Sequence, residues 1–349
     1  MNSLERVIAT MKHEPVDRIP VYPLINSVSY KSIGIDYEEW SKDYKKCAES
    51  IIKTTKELGV DVVCNLVDLS VEAADWGQEL LYFPDKAACP NHHNRLIKSE
   101  EEYDKIKYID YKAVNGRMAE HVKLTKLLYD ELGQEKPIVG FVLGPLAILS
   151  MMRGQSEMFI DCFDDPDMLR PALEGITETL IEFCDGLLDA GAHGIMFDTL
   201  FASASIMSPT MWDDLEGDLI ERLTDHVRAR GGLVMLHNCG TGIYFKEQIA
   251  RMKPCLISFL HVPFDCKDYA DTREKYGKDI VLAGCLEPGT VLTCTNEELR
   301  EKCKENIDML SGEGYGYMLA TGCEYPAPLD FEKAKIMIEV ANTYGKRGL

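Results

Sequence analysis

Short apolar runs rich in β-branched residues alternate along the chain with longer segments whose apolar residues recur at helical spacing. Such runs are typical of strands buried on both faces of a parallel sheet, with helices between them. Eight strand-like runs are recognisable, namely Ile19–Leu24, Val60–Leu66, Pro137–Leu143, His193–Phe197, Leu233–His237, Leu256–His261, Ile280–Cys285 and Tyr317–Thr321. Eight strands alternating with helices predict an α/β protein with the architecture of a (β/α)8 TIM barrel.

Helical periodicity predicts seven main helices, which are Tyr44–Leu58, Glu101–Leu132, Pro166–Ala190, Pro209–Arg230, Asp268–Tyr276, Asn296–Leu310 and Phe331–Tyr344. Two begin with cap signatures, because Ser208 precedes Pro209, and Thr295 precedes Glu298 by three residues, as in a capping box. No low-complexity linker or internal repeat divides the chain, so we expect one domain over residues 1–349. Residues 68–98 are the least regular segment and are expected to pass over the barrel mouth.

The amino-acid composition limits the molecules that the protein is expected to bind and the cellular compartment in which it is expected to lie. With 58 acidic and 38 basic residues, the chain has a net charge of −20, which disfavours binding to nucleic acid or to anionic lipid. No apolar run approaches the roughly 20 residues that span a bilayer, and the first residues lack a signal-peptide core, so a cytoplasmic protein is expected. The 12 cysteines are expected to be reduced thiols. Seven of them lie in apolar patterns and are interpreted as core residues: Cys47, Cys64, Cys162, Cys184, Cys255, Cys294 and Cys303.

The most informative segment is the apolar run from Leu233 that ends in His237-Asn-Cys239-Gly240. In extended backbone, residues two apart point to the same side, so His237 and Cys239 can converge on one ion. They lie at the carboxyl end of a predicted strand, which is the end of a barrel where active sites form.

A second strand end supplies another possible ligand, because Cys323 follows Tyr317–Thr321 and Gly322. One histidine and two cysteines would favour zinc and would leave its fourth position open, as in catalytic sites. A His-x-Cys pair also arises by chance, and Cys323 is too distant in sequence for a zinc finger, so the hypothesis depends on the strand-end positions. Glu324 is expected to point away from the metal.

Further polar residues are candidates for binding the substrate. Asp198 and Glu287 follow predicted strands, although each could equally be a carboxylate at a helix start. His261 could be a fourth or supporting ligand. Arg153 could pair with an anionic substrate tail, or it could instead bridge to the acidic cluster at residues 161–165.

The pattern formed by His237-x-Cys239 and the distant Cys323, within Gly-Cys-Glu-Tyr-Pro, resembles the zinc motif of a known family. It is similar to that of the corrinoid-dependent methyltransferases of the uroporphyrinogen decarboxylase superfamily, especially those that act on methylcobalamin and coenzyme M. The resemblance spans nearly the whole chain. It includes Glu5-Arg-Val, the segment from Pro15 to Pro20, Gly144-Pro145, and Phe197-Asp198 followed by Ser208-Pro209.

This resemblance implies a (β/α)8 barrel in which His237, Cys239 and Cys323 hold Zn²⁺. It further implies transfer of a methyl group between a corrinoid and a small thiol. Because no cobalamin-binding domain is evident, the corrinoid (cobalamin) would be carried by a separate protein. The sequence does not indicate an oligomeric state.

The superfamily also contains the metal-free decarboxylases, which bind tetrapyrrole carboxylates through an arginine-rich segment near the amino terminus. The corresponding segment here, residues 21–30, has no arginine, which disfavours that activity. Asp68 resembles the catalytic aspartate of the decarboxylases by position and is a candidate substrate-binding residue, but the methyltransferases keep a similar segment.

Two other hypotheses remain open from the sequence. The enzyme could run in the opposite direction, demethylating a methoxylated, methylthio or methylamine compound and loading a corrinoid protein. Alternatively, the chain could be a non-catalytic barrel that binds a corrinoid protein or a tetrapyrrole.

Overall fold

The computed structural model describes residues 1–346, and ten strands lie within them. They are β1 (Val21–Tyr22), β2 (Val63–Cys64), β3 (Leu80–Leu81), β4 (Cys89–Pro90), β5 (Ile138–Leu143), β6 (Gly194–Asp198), β7 (Leu233–Asn238), β8 (Leu256–Phe259), β9 (Val281–Leu286) and β10 (Tyr317–Thr321). Eight form one parallel sheet in the order β1-β10-β9-β8-β7-β6-β5-β2. Each of the eight predicted runs overlaps one of these strands, and β6, β7 and β9 each extend one residue beyond the predicted end.

The two ends of this sheet meet between β1 and the residues just before β2. The Asp61 amide donates to the Val21 carbonyl at 3.0 Å, and the Asp61 carboxylate accepts from the Val21 amide at 2.8 Å. The side chain of Asn26 also donates to the Cys64 carbonyl. The sheet is therefore curled into a barrel, and the predicted (β/α)8 architecture is confirmed.

The described residues contain sixteen α-helices. They are α1 (Ser3–Met11), α2 (Tyr37–Lys42), α3 (Tyr44–Leu58), α4 (Val71–Asp75), α5 (Tyr111–Val114), α6 (Arg117–Leu132), α7 (Pro145–Arg153), α8 (Gln155–Asp164), α9 (Arg170–Asp189), α10 (Pro209–Trp212), α11 (Asp218–Ala229), α12 (Phe245–Met252), α13 (Tyr269–Tyr276), α14 (Pro288–Thr293), α15 (Asn296–Leu310) and α16 (Glu332–Thr343). Three 3₁₀ segments occur at Asn26–Ile33, Glu100–Lys105 and Pro166–Leu169, and a π-helical segment, Asp213–Gly217, joins α10 to α11.

The predicted single helix over Glu101–Leu132 is wrong. The chain forms a 3₁₀ segment and the short α5, and Asn115 then adopts a left-handed conformation with φ 50° that ends α5. The helix α6 starts afresh after Gly116, and the Asp75 carboxylate accepts from the amides of Arg117 at 2.7 Å and Met118 at 3.0 Å. A distant carboxylate thus provides the cap, which helical periodicity alone does not reveal.

The periodicity does not predict several helices, among them α1, α7, α8 and α12. In α7 the side chains are apolar except for Ser150 and Arg153, and Leu146, Ile148, Leu149 and Met152 are all fully buried. A helix with buried apolar residues on most of its surface has little amphipathic period to detect. The strand β8 is also shorter than predicted, because it ends at Phe259 and leaves His261 in the following loop.

Both predicted caps are present. The Ser208 hydroxyl accepts from the Met211 amide at 3.1 Å, and Thr295 and Glu298 form a reciprocal capping box. The predicted single domain includes residues 347–349, which lie outside the described residues. Among the helices of residues 1–346, none combines the length and the apolar character needed to cross a bilayer.

The irregular segment after β2 contains α4 and a two-stranded antiparallel ribbon of β3 and β4. Its end packs on α7, the helix that follows β5, because the Ile97 amide donates to the Met152 carbonyl at 3.1 Å and Arg95 donates to the Met151 carbonyl at 2.7 Å. The segment leaves β2 at its carboxyl end, so it lies on the mouth side of the barrel, as the sequence predicts.

Side chains on the inner face of the strands change character along the barrel axis. Met196, Met235 and Met318 line a small apolar cavity at the amino-terminal end, which Met11 of α1 also lines. Two residues further along β6 and β7, on the same faces, the chain places Asp198 and His237. The apolar layer supports the barrel, and the polar layer lies at the mouth.

Candidate metal centre

Three soft ligands converge at the mouth, as the sequence predicts. His237 is the fifth residue of β7, Cys239 follows that strand directly, and Cys323 lies two residues beyond β10. One potential ligand atom from each lies within 4.8 Å of the others. We call these three residues the ligand cluster. His237 is 3% exposed, and the two cysteines are half-buried.

The orientation of the histidine is fixed by a neighbouring strand. Ser258 of β8 is paired in register with His237, and its hydroxyl lies 3.0 Å from Nδ1 of the imidazole. A metal-binding histidine is commonly held in this way through its other ring nitrogen, which sets the tautomer. Nε2 is therefore the ring nitrogen available to an ion, and the buried Ser258 is a supporting residue that sequence reasoning missed.

Electrostatic coupling within the ligand cluster is strong. The hydrogen bond from Cys239, followed by the contact with His237, lowers the pKa of Cys323, while the same shared proton raises the pKa of Cys239. Burial by itself lowers the pKa of His237, but Cys323 and the Asp198 carboxylate raise it above its ordinary value. The close approach of the three side chains is the physical cause of these shifts.

Asp198 is the last residue of β6 and is paired in register with His237. It is 5% exposed, and burial raises the pKa of its carboxyl to about 6, while His237 opposes and Cys323 adds to this rise. Within residues 1–346, no donor reaches its Oδ1. The predicted candidate therefore does lie beside the ligand cluster.

Glu324 lies closer to the site than the sequence interpretation expected. Its Oε1 is buried and has no donor in the described part of the chain. Burial raises the pKa of Glu324 to about 7, the charge of Cys323 adds to this, and a hydrogen bond with Ser27 opposes it. Glu324 in turn raises the pKa of His237, so its carboxyl faces the interior of the mouth and not solvent. We call Asp198 Oδ1 and Glu324 Oε1 the two open acceptors.

Asp68 is buried and already paired. Both of its carboxylate oxygens accept from the guanidinium of Arg117, at 2.9 and 2.6 Å, and one also accepts from the Ser70 amide at 2.9 Å. Sequence reasoning missed Arg117, because the helix that carries it begins 49 residues after Asp68. A bidentate pair of this kind fixes both side chains.

The remaining predicted residues are not brought to the ligand cluster. Arg153 Nε lies 2.7 Å from Asp161 Oδ2, so Arg153 forms the predicted bridge to the acidic cluster. Glu287 is exposed at the start of α14 and accepts from the Thr290 hydroxyl at 2.6 Å. His261 is half-buried in the loop after β8. A role for any of them in substrate binding stays a prediction.

Two further buried carboxyls were missed by sequence reasoning. Glu216, in the π-helical segment, accepts from the Leu146 amide at 3.0 Å and from Trp212 Nε1 at 2.8 Å, and burial raises its pKa to about 7. Glu72 accepts from the Leu143 amide at 3.1 Å, and burial raises its pKa to about 7 as well. Both bind backbone amides near the carboxyl end of β5, so they help to hold the mouth in shape.

The fold and the ligand cluster define a (β/α)8-barrel protein with a candidate thiolate-rich metal centre at its mouth. Comparison with known proteins gives the family: the uroporphyrinogen decarboxylase (URO-D) model matches residues 2–344. The chain belongs to that family, and the resemblance seen in the sequence motifs is confirmed.

Curated relatives of both chemistries match at similar identity. A methylcobamide:CoM methyltransferase from Methanosarcina mazei is 22% identical over 344 residues, covering 97% of each chain. A uroporphyrinogen decarboxylase from Myxococcus xanthus is also 22% identical, covering 98% of this chain and 97% of the relative. Among solved structures, a methyltransferase from Methanosarcina mazei superposes with a TM-score of 0.83 at 20% identity, covering 99% of each chain. Overall identity thus does not separate the two activities, and the residues of the site must do so.

Proposed function

We propose that this protein is a zinc-dependent methyltransferase that transfers a methyl group from a methylated corrinoid, carried by another protein, to a small thiol. The observation that carries the proposal is the ligand cluster, in which three soft donors from two distant strand ends lie within 4.8 Å of one another. Three protein ligands would leave one coordination position for a substrate, as in catalytic zinc sites.

The donor set suits zinc more than the other common divalent ions. Thiolate and imidazole ligands favour zinc over magnesium, calcium or manganese. The contact between Ser258 and His237 Nδ1 supports this assignment, because it leaves Nε2 available for an ion.

A free thiol with a pKa of about 8.5 is mostly protonated near neutral pH, and only the thiolate is a good nucleophile. Bound zinc would stabilise the substrate sulfur as a thiolate at the open position. In the transfer, the carbon–cobalt bond breaks with its electron pair left on cobalt, and the carbon–sulfur bond forms. The proton released by the thiol passes to solvent. His237, Cys239 and Cys323 hold the site, and the barrel mouth receives the carrier protein.

The relatives support this direction in part. The name of the Methanosarcina relative gives a methylcobamide as its methyl donor and CoM as its acceptor. The decarboxylase alternative offers no use for three convergent soft ligands. In addition, the aspartate that resembles the decarboxylase residue, Asp68, is engaged by Arg117.

Metal analysis of two variants tests the zinc assignment. The purified protein should contain about one zinc per chain, and Cys239→Ala and Cys323→Ala should lose it because two ligands cannot hold the ion tightly. Cys294→Ala is the matched control, since Cys294 is half-buried and outside the ligand cluster. Retention of full zinc by both cluster variants would remove the basis of the proposal.

Turnover tests the direction of transfer. Methylcobalamin incubated with the zinc enzyme and a panel of thiols should be demethylated in proportion to the thioether formed. If no thiol is methylated, while cob(I)alamin is methylated from a methoxy, methylthio or methylamine compound, the opposite direction is correct. If neither reaction occurs and zinc X-ray absorption gains no sulfur neighbour on addition of thiol, the barrel is non-catalytic.

A further inference from the structure

Two carboxylate oxygens at the barrel mouth, the two open acceptors, have no hydrogen-bond donor in the part of the chain that the structure describes. Asp198 Oδ1 and Glu324 Oε1 are buried carboxylate oxygens, and the described residues 1–346 offer a donor to neither. A buried carboxylate oxygen without a donor is costly, and such groups are rare in folded proteins. Both oxygens are therefore available to accept hydrogen bonds from a molecule bound at the mouth.

Both open acceptors lie beside the ligand cluster, because Asp198 is in register with His237 and Glu324 directly follows Cys323. Asp198 ends β6, Glu324 follows β10, and three strands separate β6 from β10 around the barrel in either direction. The charges of Cys323 and His237 act on both carboxyls. A small molecule whose sulfur reached the ligand cluster would thus have both open acceptors nearby.

Three basic side chains on the segments that follow β1, β2 and β5 are already engaged by the protein. Arg117 is bidentate to Asp68, and Arg153 is paired with Asp161. Lys31 donates to the carbonyls of Ala327 and Leu329. The mouth therefore presents unsatisfied acceptors beside the ligand cluster, while these cations are neutralised or bound.

We propose that the small thiol carries a protonated amine, which donates to Asp198 and Glu324 while its sulfur binds at the ligand cluster. This inference rests on the proposed function and names its substrate class. An aminothiol satisfies both open acceptors and gains charge-assisted hydrogen bonds, whereas an anionic tail meets two buried carboxyls while Arg117 and Arg153 are already paired with aspartates. It also replaces the role for Arg153 as the partner of an anionic tail.

Binding can be measured without turnover. In enzyme whose metal has been exchanged for Co²⁺, thiolate binding produces a sulfur-to-cobalt charge-transfer band that can be titrated. We expect 2-aminoethanethiol to bind about tenfold or more tightly than 2-mercaptoethanol, and 2-mercaptoethanesulfonate to bind most weakly. Equal affinities, or tightest binding of the sulfonate, would overturn the proposal.

Two isosteric variants separate recognition of the amine from the acidity of the thiol. Asp198→Asn and Glu324→Gln should each reduce the preference for 2-aminoethanethiol over 2-mercaptoethanol about tenfold, while binding of 2-mercaptoethanol stays within about threefold. Glu216→Gln is the control, because it removes a buried carboxyl whose two oxygens are already bound by Leu146 and Trp212. It should leave the ratio unchanged.

Uniform weakening of all three thiols in the Asp198 and Glu324 variants would contradict the proposal and would indicate a role in holding the metal. Failure of the proposed function has a different signature. In that case methylcobalamin is not consumed with any thiol, while the cobalt titration still reports whether the amine is preferred.

Discussion

Two buried aspartates, at opposite ends of the barrel, have very different surroundings. Asp61 at the amino-terminal end is fully buried and accepts hydrogen bonds from Ser3, Arg6, Arg18 and the Val21 amide, at 2.6 to 3.0 Å. Asp198 at the mouth is 5% exposed and has an oxygen for which residues 1–346 provide no donor. The protein itself supplies all the hydrogen bonds of Asp61, whereas Asp198 keeps an oxygen that can accept a hydrogen bond from another molecule.

This difference indicates that the amino-terminal end of the barrel contributes mainly to stability, whereas the mouth contributes mainly to function. Arg6 and Arg18 lie in the two amino-terminal segments that carry part of the family resemblance. Both pair with Asp61, and these ion pairs hold the start of β1 against the start of β2. The resemblance in that region therefore reflects closure of the barrel. The resemblance around His237 and Cys323 reflects the mouth and its chemistry.

The largest expected effect on stability follows from a change at Asp61. Asp61→Asn removes the charge that pairs with Arg6 and Arg18, and loss of one partner from a buried ion-pair network typically costs about 3–5 kcal/mol. Urea unfolding followed by circular dichroism measures the free energy of unfolding. A loss below about 1 kcal/mol would show that Asp61 does not hold the junction between β1 and β2 together.

A smaller, pH-dependent effect is expected from Glu216 at the mouth. Burial raises the pKa of its carboxyl to about 7 in the folded protein, above the unfolded value near 4.5. The contribution of this group to stability is therefore fully present below pH ~4.5 and is lost as the pH rises to ~7, by on the order of 3 kcal/mol.

The difference in unfolding free energy between the wild type and Glu216→Gln isolates this group, because other titrations cancel. We expect the wild type to lose stability relative to the variant as the pH rises from 4.5 to 7. A difference that stays constant over this range would mean that Glu216 is ionised in the folded protein throughout.

The smallest loss of stability is expected from the change at Asp198. Asp198→Asn removes a buried charge and a carboxylate oxygen that has no donor within the described residues, so the free energy of unfolding at neutral pH should not fall. The same variant should lose its preference for an aminothiol. A loss of stability as large as that of Asp61→Asn would show that both aspartates are structural, and the contrast between the two ends would not hold.

Much of the barrel could be predicted because buried parallel strands are continuous apolar runs. The ligand cluster could be predicted because two strands end in potential ligands and strand ends in a barrel share one mouth. The helix α7 could not, because Leu146 and Ile148 point to different faces and both are buried. Ser258 could not be assigned either, since its contact with His237 depends on the register between β7 and β8.

The orientation of side chains beyond the strand ends was the least predictable feature. Glu324 was expected to point away from the metal, but the turn after Cys323 directs its carboxyl inward, where it meets Ser27. Arg117 reaches Asp68 only because α6 starts at a cap that Asp75 provides. Such contacts join segments far apart in sequence, and no local pattern records them.

The short strands β1 and β2 are joined by fewer backbone hydrogen bonds than the other neighbouring strands of the barrel. Between them, one backbone hydrogen bond and the side chains of Asp61 and Asn26 replace a full ladder. Regions held by few backbone bonds open most readily, so amide hydrogens here should exchange with solvent before those of β6 and β7. Opening of the junction between β1 and β2 would widen the mouth on the side of Cys323 and Glu324 while His237 stays fixed, and under the proposed function it would admit the corrinoid of the carrier protein.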